Sequence, residues 1–156
     1  MELQIIAVGT RLPAWVEQAY LDYAKRLPRE FSLTLTQIPV AQRKGNKQTD
    51  KLKLLEAQAI QKKIVDGSYT LALDENGQQW NSLQWSQQLD KWLMHYPRVN
   101  LVIGGPDGID SSLLRRAEKK IALGKMTLPH GLVRVVLIEQ LYRAWTMLQG
   151  HPYHRA

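Results

Sequence analysis

The last six residues of the chain, HPYHRA, bring together many side chains that can do chemistry. His151 and His154 supply imidazoles, Tyr153 a phenol and Arg155 a guanidinium, whereas chain ends ordinarily fray and carry few interactions. These groups can exchange protons, donate hydrogen bonds and stabilise a negative charge. The two histidines are three residues apart, but too few other imidazoles or carboxylates stand at ligand spacing to predict a metal site.

A second candidate site is the stretch LVIGGPDGI, where Gly104, Gly105 and Gly108 follow an apolar run and precede a helix start at Asp110 or Ser111. Glycine lets a ligand approach the backbone closely, and ligands of open α/β sheets bind beyond the carboxyl ends of strands. The same PDG stretch also makes a tight turn without any ligand. The spacing matches neither the dinucleotide fingerprint nor the P-loop, so the glycines do not specify a ligand.

Further along, LGKMTLPHG contains another glycine, Gly124, and places His130 at the predicted start of a helix. His130 is a potential base or ligand, although a histidine in this position is more often a hydrogen-bonded corner residue. Glu139 and Arg143 stand four residues apart on the last predicted helix, which is typical of an ordinary surface ion pair. The chain contains no nucleophile-elbow motif.

The elements that must position these groups follow from the apolar pattern. It predicts strands at 3–8, 31–38, 68–74, 99–104 and 122–128, and helices at 13–27, 49–65, 81–96, 110–120 and 131–150. Thr49 or Asp50 is expected to cap the second helix and Asn81 or Ser82 the third, whose inward residues should include Leu93. The alternation of strands and helices predicts an α/β fold with a mostly parallel sheet, as a single domain over residues 1–156.

The last predicted helix is apolar around more than half of its circumference, which is wider than one sheet face requires. Such a helix lies centrally in the domain or packs against another copy of the chain, and periodicity leaves both arrangements open. Its apolar residues are Val133, Val136, Leu137, Ile138, Leu141, Ala144, Trp145, Met147 and Leu148.

The composition restricts the class of protein. Lys and Arg number 21 against 14 Asp and Glu, a net charge of +7 that suits a polyanionic partner such as nucleic acid, and equally a solvated basic surface. The chain has no cysteine, which excludes disulfides and thiolate metal sites and is compatible with a reducing cytosol. It also lacks a signal pattern and any apolar run near the roughly 20 residues that span a bilayer.

Three motifs taken together, LVIGGPDGI, ALGKMTLPHGLVRVVLIEQLYRAW and the terminal HPYHRA, closely resemble the RlmH family. These are small SPOUT-class methyltransferases that use S-adenosylmethionine to methylate N3 of a pseudouridine in large-subunit (23S) ribosomal RNA. The resemblance covers essentially the whole chain, including the opening LQIIAVGT. It implies a deep trefoil knot in the C-terminal part, a homodimer, a cytoplasmic enzyme without a metal, and the ribosomal large subunit or whole ribosome as partner.

The resemblance also assigns residues to the site. The cofactor-binding residues are Leu73, Gly104, Leu123, Gly124, Lys125, Met126, Thr127 and Leu128. A branched side chain at Gly104 should therefore obstruct the cofactor and leave the fold intact.

The tail resembles the family's active-site segment, which reaches the cofactor of the partner subunit. Tyr153, His154 and Arg155 would supply a base or hydrogen bond, an acid–base imidazole and a cation, and the choice among them for the proton stays open. Six extended residues span about 20 Å, enough to cross a subunit boundary.

The exposed basic loop AQRKGNKQ offers Arg43, Lys44 and Lys47 as phosphate contacts. Two other functions use the same features: an RNA-binding module without catalysis, and a SPOUT enzyme acting on another RNA such as transfer RNA. The first would not bind S-adenosylmethionine, and the second usually carries an added RNA-binding domain, for which this chain has no room.

Overall fold

The structure, a computed structural model, describes residues 1–42 and 48–155 as a parallel sheet covered by helices on both faces. The strands, arranged in the order β2-β1-β4-β3-β5, are β1 (Glu2–Val8), β2 (Thr34–Ile38), β3 (Tyr69–Gln79), β4 (Arg98–Ile103) and β5 (Lys119–Ala122). The helices are α1 (Ala14–Ala24), α2 (Thr49–Gln61), α3 (Ser82–His95), α4 (Ser111–Arg116) and α5 (His130–Leu148). This confirms the predicted α/β class and the parallel sheet.

The apolar strands are buried from both sides, because successive side chains point to opposite faces. In β1, Ile5 packs into the larger part of the core with α1, α3 and α5, whereas Ile6 packs into the smaller part with α2 and α4. Both isoleucines have no solvent exposure. An alternating sequence would have predicted one solvated face, so the continuous run LQIIAV correctly indicated a strand between two layers.

The helix ends test the capping predictions. Asn81 caps α3 as predicted: its side chain accepts a hydrogen bond from the Gln84 N–H, and the Gln84 side chain accepts one from the Asn81 N–H, both at 2.8 Å. The cap predicted for α2 is wrong, since Gln48 precedes the helix and makes no side-chain capping bond. Leu93 is also wrong as an inward residue, because it lies one position beyond the buried Trp92 and is 40% exposed.

The last strand differs most from its prediction. The expected strand at 122–128 is a loop after its first residue, and the expected helix at 110–120 ends at Arg116, so that Lys119 and Lys120 open β5. Both lysines are exposed on a strand at the edge of the sheet, where charged residues discourage pairing with other chains. Their polarity made the start of β5 look like the end of a helix.

Strand β3 continues five residues beyond its predicted end at Asp74, and its backbone lies close beside that of β5. Ile121 of β5 is matched with two residues of β3, Leu73 and Gln78, on either side of a break in register. Gly77 lies in this break, and a Cβ built there would be 2.6 Å from the carbonyl carbon and oxygen of Lys120. Only glycine fits this approach of two backbones.

We expect Gly77→Ala to destabilise the protein by about 1–3 kcal/mol, since an overpacked contact with backbone cannot relax by a side-chain rotation. The matched control is Gly131→Ala in α5, where a Cβ would lie 3.4 Å from Val16, an ordinary contact. Alanine favours a helix, so this control should be neutral or stabilising by up to about 1 kcal/mol. Urea unfolding measures both, and an unchanged midpoint for Gly77→Ala would contradict the close approach.

Helix α5 lies between α1 and α3, on the sheet, and every one of its residues is buried or half-buried. This confirms the central position, which is one of the two arrangements predicted from its apolar circumference. Contact between α5 and another copy of the chain stays a prediction. The half-buried outer residues Leu132, Val135 and Val136 would form that contact. Among the helices of the described residues, none has both the length and the apolar character needed to cross a membrane.

Candidate functional site

A pocket of about 470 Å³ opens at the carboxyl edge of the sheet, beside the break in β3 and the last residues of β4 and β5. Leu73 at the break in β3, Ile103 at the end of β4 and Ile121 near the end of β5 line this pocket. The glycine turn at 104–108 and the loop at 123–128 form its walls, and His130 at the start of α5 contributes from one side. Parallel sheets characteristically bind ligands at this edge, because the connections that follow the strands converge there.

Seven of the eight residues assigned to the cofactor site by the sequence meet in this pocket. They are Leu73, Gly104, Leu123, Gly124, Met126, Thr127 and Leu128. The eighth, Lys125, is an exposed residue of the same loop and does not line the pocket formed by the described residues.

Sequence reasoning missed one wall, which Asp74, Glu75 and Asn76 form in the second half of β3. The segment DENGQQ has no apolar alternation, so it gave no signal of a strand. Lys53 of α2 also lines the pocket and was not anticipated. The pocket therefore combines apolar residues with the three carboxylates of Asp74, Glu75 and Asp107 and with Lys53, and it can hold a ligand that is partly apolar and carries a positive charge.

The expectation for Gly104 needs correction. A Cβ at Gly104 would lie 2.7 Å from Ile109 Cγ1 and 2.9 Å from the carbonyl carbon of Gly108, so it would collide with the turn itself. The turn folds back through a hydrogen bond of 3.0 Å from the Gly108 N–H to the Gly105 carbonyl. A branched residue at 104 would thus distort the fold of the turn, and would not simply obstruct a ligand.

The tail is ordered and packs on its own chain. Residues Pro152–His154 form a 3-10 turn, and the Tyr153 hydroxyl lies 3.1 Å from Glu139 Oε1 and 3.2 Å from the Tyr23 hydroxyl. The Tyr153 ring also packs edge-on against Tyr142, with 4.6 Å between ring centroids.

Glu139 connects the tail to a cation. Arg143 donates from Nε and Nη2 to Glu139 Oε1, at 3.0 and 2.7 Å, and its guanidinium lies 5.1 Å from the centre of the Tyr153 ring. The side chains of both ion-pair partners are less than a quarter exposed. The predicted ordinary surface pair is therefore wrong, because this pair is partly buried and holds the tail.

This environment fixes the protonation of two groups. Burial first, then the hydrogen bond with Tyr23 and the negative Glu139, raise the pKa of Tyr153 well above its ordinary value. The hydrogen bonds to Glu139 likewise raise the pKa of Arg143. A raised pKa favours the protonated phenol, so this arrangement suits Tyr153 as a hydrogen-bond donor.

The tail does not line the pocket of its own chain. The Tyr153 hydroxyl is held at Glu139, nine residues along α5 from the pocket residue His130, which corresponds to about 14 Å of helix rise. His154 is half-buried with its Nδ1 unpartnered among the described residues, and Arg155 is exposed. A single chain therefore brings together seven of the residues predicted to bind the cofactor. It does not bring the tail close to them.

The basic-loop residues Arg43, Lys44 and Lys47 lie outside the described residues. Within residues 1–42 and 48–155, no group of three or more His, Asp or Glu side chains could hold a metal ion.

The α/β fold with its parallel sheet is consistent with comparisons to known proteins. A family model described as a predicted SPOUT methyltransferase matches residues 1–154, and the chain belongs to this family of methyltransferases. Curated relatives from Hahella chejuensis and Hydrogenovibrio crunogenus, both named ribosomal RNA large subunit methyltransferase H, are 47% identical over 99% of both chains. A relative of the same name from Saccharophagus degradans is 48% identical over 99% of this chain and 100% of its own. The resemblance drawn from the motifs is thereby confirmed.

Proposed function

We propose that this protein transfers a methyl group from S-adenosylmethionine to N3 of a pseudouridine in large-subunit (23S) ribosomal RNA, acting on the assembled ribosome in the cytoplasm. The observation that carries the proposal is the pocket in which Leu73 and Gly104 meet five residues of the loop, Leu123, Gly124, Met126, Thr127 and Leu128. The names of the curated relatives support a methyltransferase of large-subunit ribosomal RNA. These names do not specify S-adenosylmethionine as the methyl donor, the pseudouridine N3 as the acceptor or the assembled ribosome as the substrate, and we propose all three.

The chemistry of the pocket fits S-adenosylmethionine. The donor has an apolar adenine, a positively charged sulfonium and an ammonium group, and it has no phosphate. Leu73, Ile103 and Leu128 offer apolar surface, and the carboxylates of Asp74 and Glu75 suit the positive charges. A volume of about 470 Å³ lies in the usual range for small-molecule sites. A glycine turn without P-loop spacing suits a ligand without phosphate.

When bound, S-adenosylmethionine supplies an electrophilic methyl group on a sulfonium. The chain must then align the acceptor and remove the N3 proton, because the imide of pseudouridine is largely protonated at neutral pH and is a poor nucleophile. The raised pKa of Tyr153 argues for a hydrogen-bond donor at that position. We assign removal of the proton to the His154 imidazole and stabilisation of the resulting anion to the Arg155 guanidinium.

A homodimer accounts for the separation of the tail from the pocket. Each tail lies away from the pocket of its own chain, so we propose that Tyr153, His154 and Arg155 complete the pocket of the partner subunit. The half-buried outer face of α5 offers the contact surface. A second copy there would bury apolar residues such as Leu132 and Val136, which remain partly accessible in one chain.

We also propose that the single domain of residues 1–156 contains a deep trefoil knot in its C-terminal part. The proposal is supported by the match of residues 1–154 to the SPOUT methyltransferase family, since the resemblance to this family implies the knot.

We propose that the assembled ribosome supplies part of the specificity. The experiment that tests the proposal incubates the protein and S-adenosylmethionine with whole ribosomes, large subunits and transfer RNA that lack the modification. We expect one new methyl group at a pseudouridine of the large-subunit RNA, located by mass mapping. Methylation of transfer RNA alone, or RNA binding without S-adenosylmethionine binding, would favour the two alternative functions.

A matched pair of variants ties this activity to the pocket. Gly108 at φ +85° lines the pocket and Gly67 at φ +81° lies away from it, and in both cases a Cβ would have no atom within 4 Å. Asparagine tolerates this conformation, so Gly108→Asn and Gly67→Asn should cost similar stability. We expect Gly108→Asn to weaken S-adenosylmethionine binding by about tenfold or more in calorimetry, equal to about 1.4 kcal/mol. Equal affinities for the two variants would contradict the assignment of this pocket.

A further inference from the structure

The positive charge of the protein is concentrated in two segments of the chain. Residues 41–66 and 110–120 contain eleven Lys or Arg and five Asp or Glu, a net charge of +6 out of the total of +7. The remaining three-quarters of the sequence contains ten cationic and nine anionic residues and is nearly neutral. Residues 43–47 contribute three of these cations by sequence alone and form no part of the surface defined below.

Helices α2 and α4, one from each segment, lie together on one side of the sheet, where they pack against each other and share the smaller part of the core. Lys53 and Arg115 both lie close enough to Asp110 to help hold its pKa below its ordinary value, after its hydrogen bonds to Ser112. The cations of α2, of the two residues that follow it and of α4 are Lys51, Lys53, Lys62, Lys63, Arg115 and Arg116, which we call the α2–α4 surface. Lys119 and Lys120 lie on the edge strand β5 and are not part of this surface.

None of these six side chains makes an ion pair or a side-chain hydrogen bond with a residue of the described chain. Five are exposed and Lys53 is half-buried. On the opposite layer, by contrast, Lys25 and Arg26 pair with Asp22, and Arg143 pairs with Glu139. The α2–α4 surface therefore groups six neighbouring cations that have no ion-pair partner among the described residues, whereas the unpaired Arg29 and Lys91 stand singly elsewhere on the chain.

The position of the α2–α4 surface relative to the pocket indicates the partner. Lys53 also lines the cofactor pocket, so the surface begins at the edge of that pocket. The tail and the outer face of α5 belong to the opposite layer. A polyanion on the α2–α4 surface would therefore reach the pocket without competing with a second copy of the chain on α5.

We propose that the α2–α4 surface binds the phosphate backbone of the RNA substrate and directs the target nucleotide to the adjacent pocket. This inference rests on the proposed function and adds the face of the molecule that the RNA occupies. Lys and Arg side chains bind phosphates without regard to base, so the surface contributes affinity and orientation. Recognition of the particular nucleotide is left to the pocket and the tail.

Two triple variants with equal net charge test the proposal. The first replaces Lys62, Arg115 and Arg116 of the α2–α4 surface with Gln, and the control replaces Lys25, Arg29 and Lys91, which are exposed elsewhere, with Gln. Binding to a large-subunit RNA transcript is measured across salt concentrations. Each lost phosphate contact lowers the log–log slope by about 0.7–0.9, so the first variant should lose about two units of slope. The control should keep the slope of the original protein.

Two further measurements separate the possible failures. Both variants should bind S-adenosylmethionine as the original protein does, since none of the six substituted residues lines the pocket. If the original protein binds the RNA and both variants lose the same slope, the inference about this surface is overturned and the proposed function stands. If the original protein binds S-adenosylmethionine but no RNA, or binds vesicles of anionic phosphatidylglycerol in preference to RNA, both proposals are overturned.

Discussion

Removal of His154–Ala156 is expected to reduce methyl transfer by about two to four powers of ten, because it takes away the proposed proton acceptor and the guanidinium beside the developing anion. Tyr153 is kept in this truncation because its ring packs against Tyr142 and its hydroxyl is held at Glu139. The fold, the dimer and the affinity for S-adenosylmethionine should therefore change little. Circular dichroism, sedimentation and calorimetry provide these controls, and a truncated dimer with near-normal activity would contradict a catalytic tail.

A mixing experiment decides whose pocket the tail completes. Truncated chains are combined with full-length chains carrying Gly108→Asn, at an S-adenosylmethionine concentration well below the dissociation constant of that variant, so that neither homodimer has more than about a tenth of the original activity. If the tail acts across the interface, each mixed dimer regains one site from an intact tail and an intact pocket in different chains. Random pairing of equal amounts then restores about one quarter of the original activity. If each tail serves its own chain, no mixture regains activity and the shared site must be abandoned.

Replacement of Glu139 with Ala is expected to have the second largest effect. It removes the carboxylate that accepts two hydrogen bonds from Arg143 and lies 3.1 Å from the Tyr153 hydroxyl. Hydrogen bonds to charged groups contribute about 1.5–3 kcal/mol each, and a partly buried Arg143 would be left without its partner. We expect lower stability together with a fall in methyl transfer of about a hundredfold, since a displaced group commonly costs this much. Affinity for S-adenosylmethionine should stay unchanged.

A double-mutant cycle distinguishes loss of tail positioning from general destabilisation. Tyr153→Phe removes the hydroxyl and keeps the ring against Tyr142. If Glu139 acts by holding this hydroxyl, the double variant should be less impaired than the sum of the single effects, with a coupling of about 0.5–3 kcal/mol. Strictly additive effects on the rate of methyl transfer would contradict a positioning role for Glu139. The core variant Leu89→Ala, buried in α3 away from the pocket, serves as a control for stability alone.

The sequence predicted best those elements whose local and tertiary preferences agree. β1 has a continuous apolar run, Ile5 to Val8, because both of its faces are buried there. Asn81 begins α3 because its side chain can satisfy an N–H of the first turn. Seven of the cofactor residues could be assigned through the resemblance, since the motif places them on connections that follow adjacent strands. Periodicity alone would have left their ligand open.

The sequence predicted least well those elements that depend on contacts distant along the chain. Strand β5 begins with two exposed lysines, and the second half of β3 is polar, so neither has the apolar alternation of a half-buried strand. Glu139 and Arg143 have the spacing of any helical ion pair. Their role in binding the tail becomes visible only in the fold, where the Tyr153 hydroxyl lies beside Glu139. The arrangement of charge on α2 and α4 likewise needs the fold to bring two segments together.

The edge strand β5 has a thermodynamic consequence for the whole site. It has four residues and pairs with β3 alone in the described sheet, yet Ile121 and Ala122 line the pocket. Short edge elements open by local unfolding more readily than central strands. Every such opening removes part of the pocket, so a ligand bound in the pocket opposes the opening. The free energy of opening β5 therefore increases with ligand concentration through mass action. If the proposed methyl donor binds in this pocket, the fraction of time for which β5 remains paired with β3 should increase with the concentration of that donor.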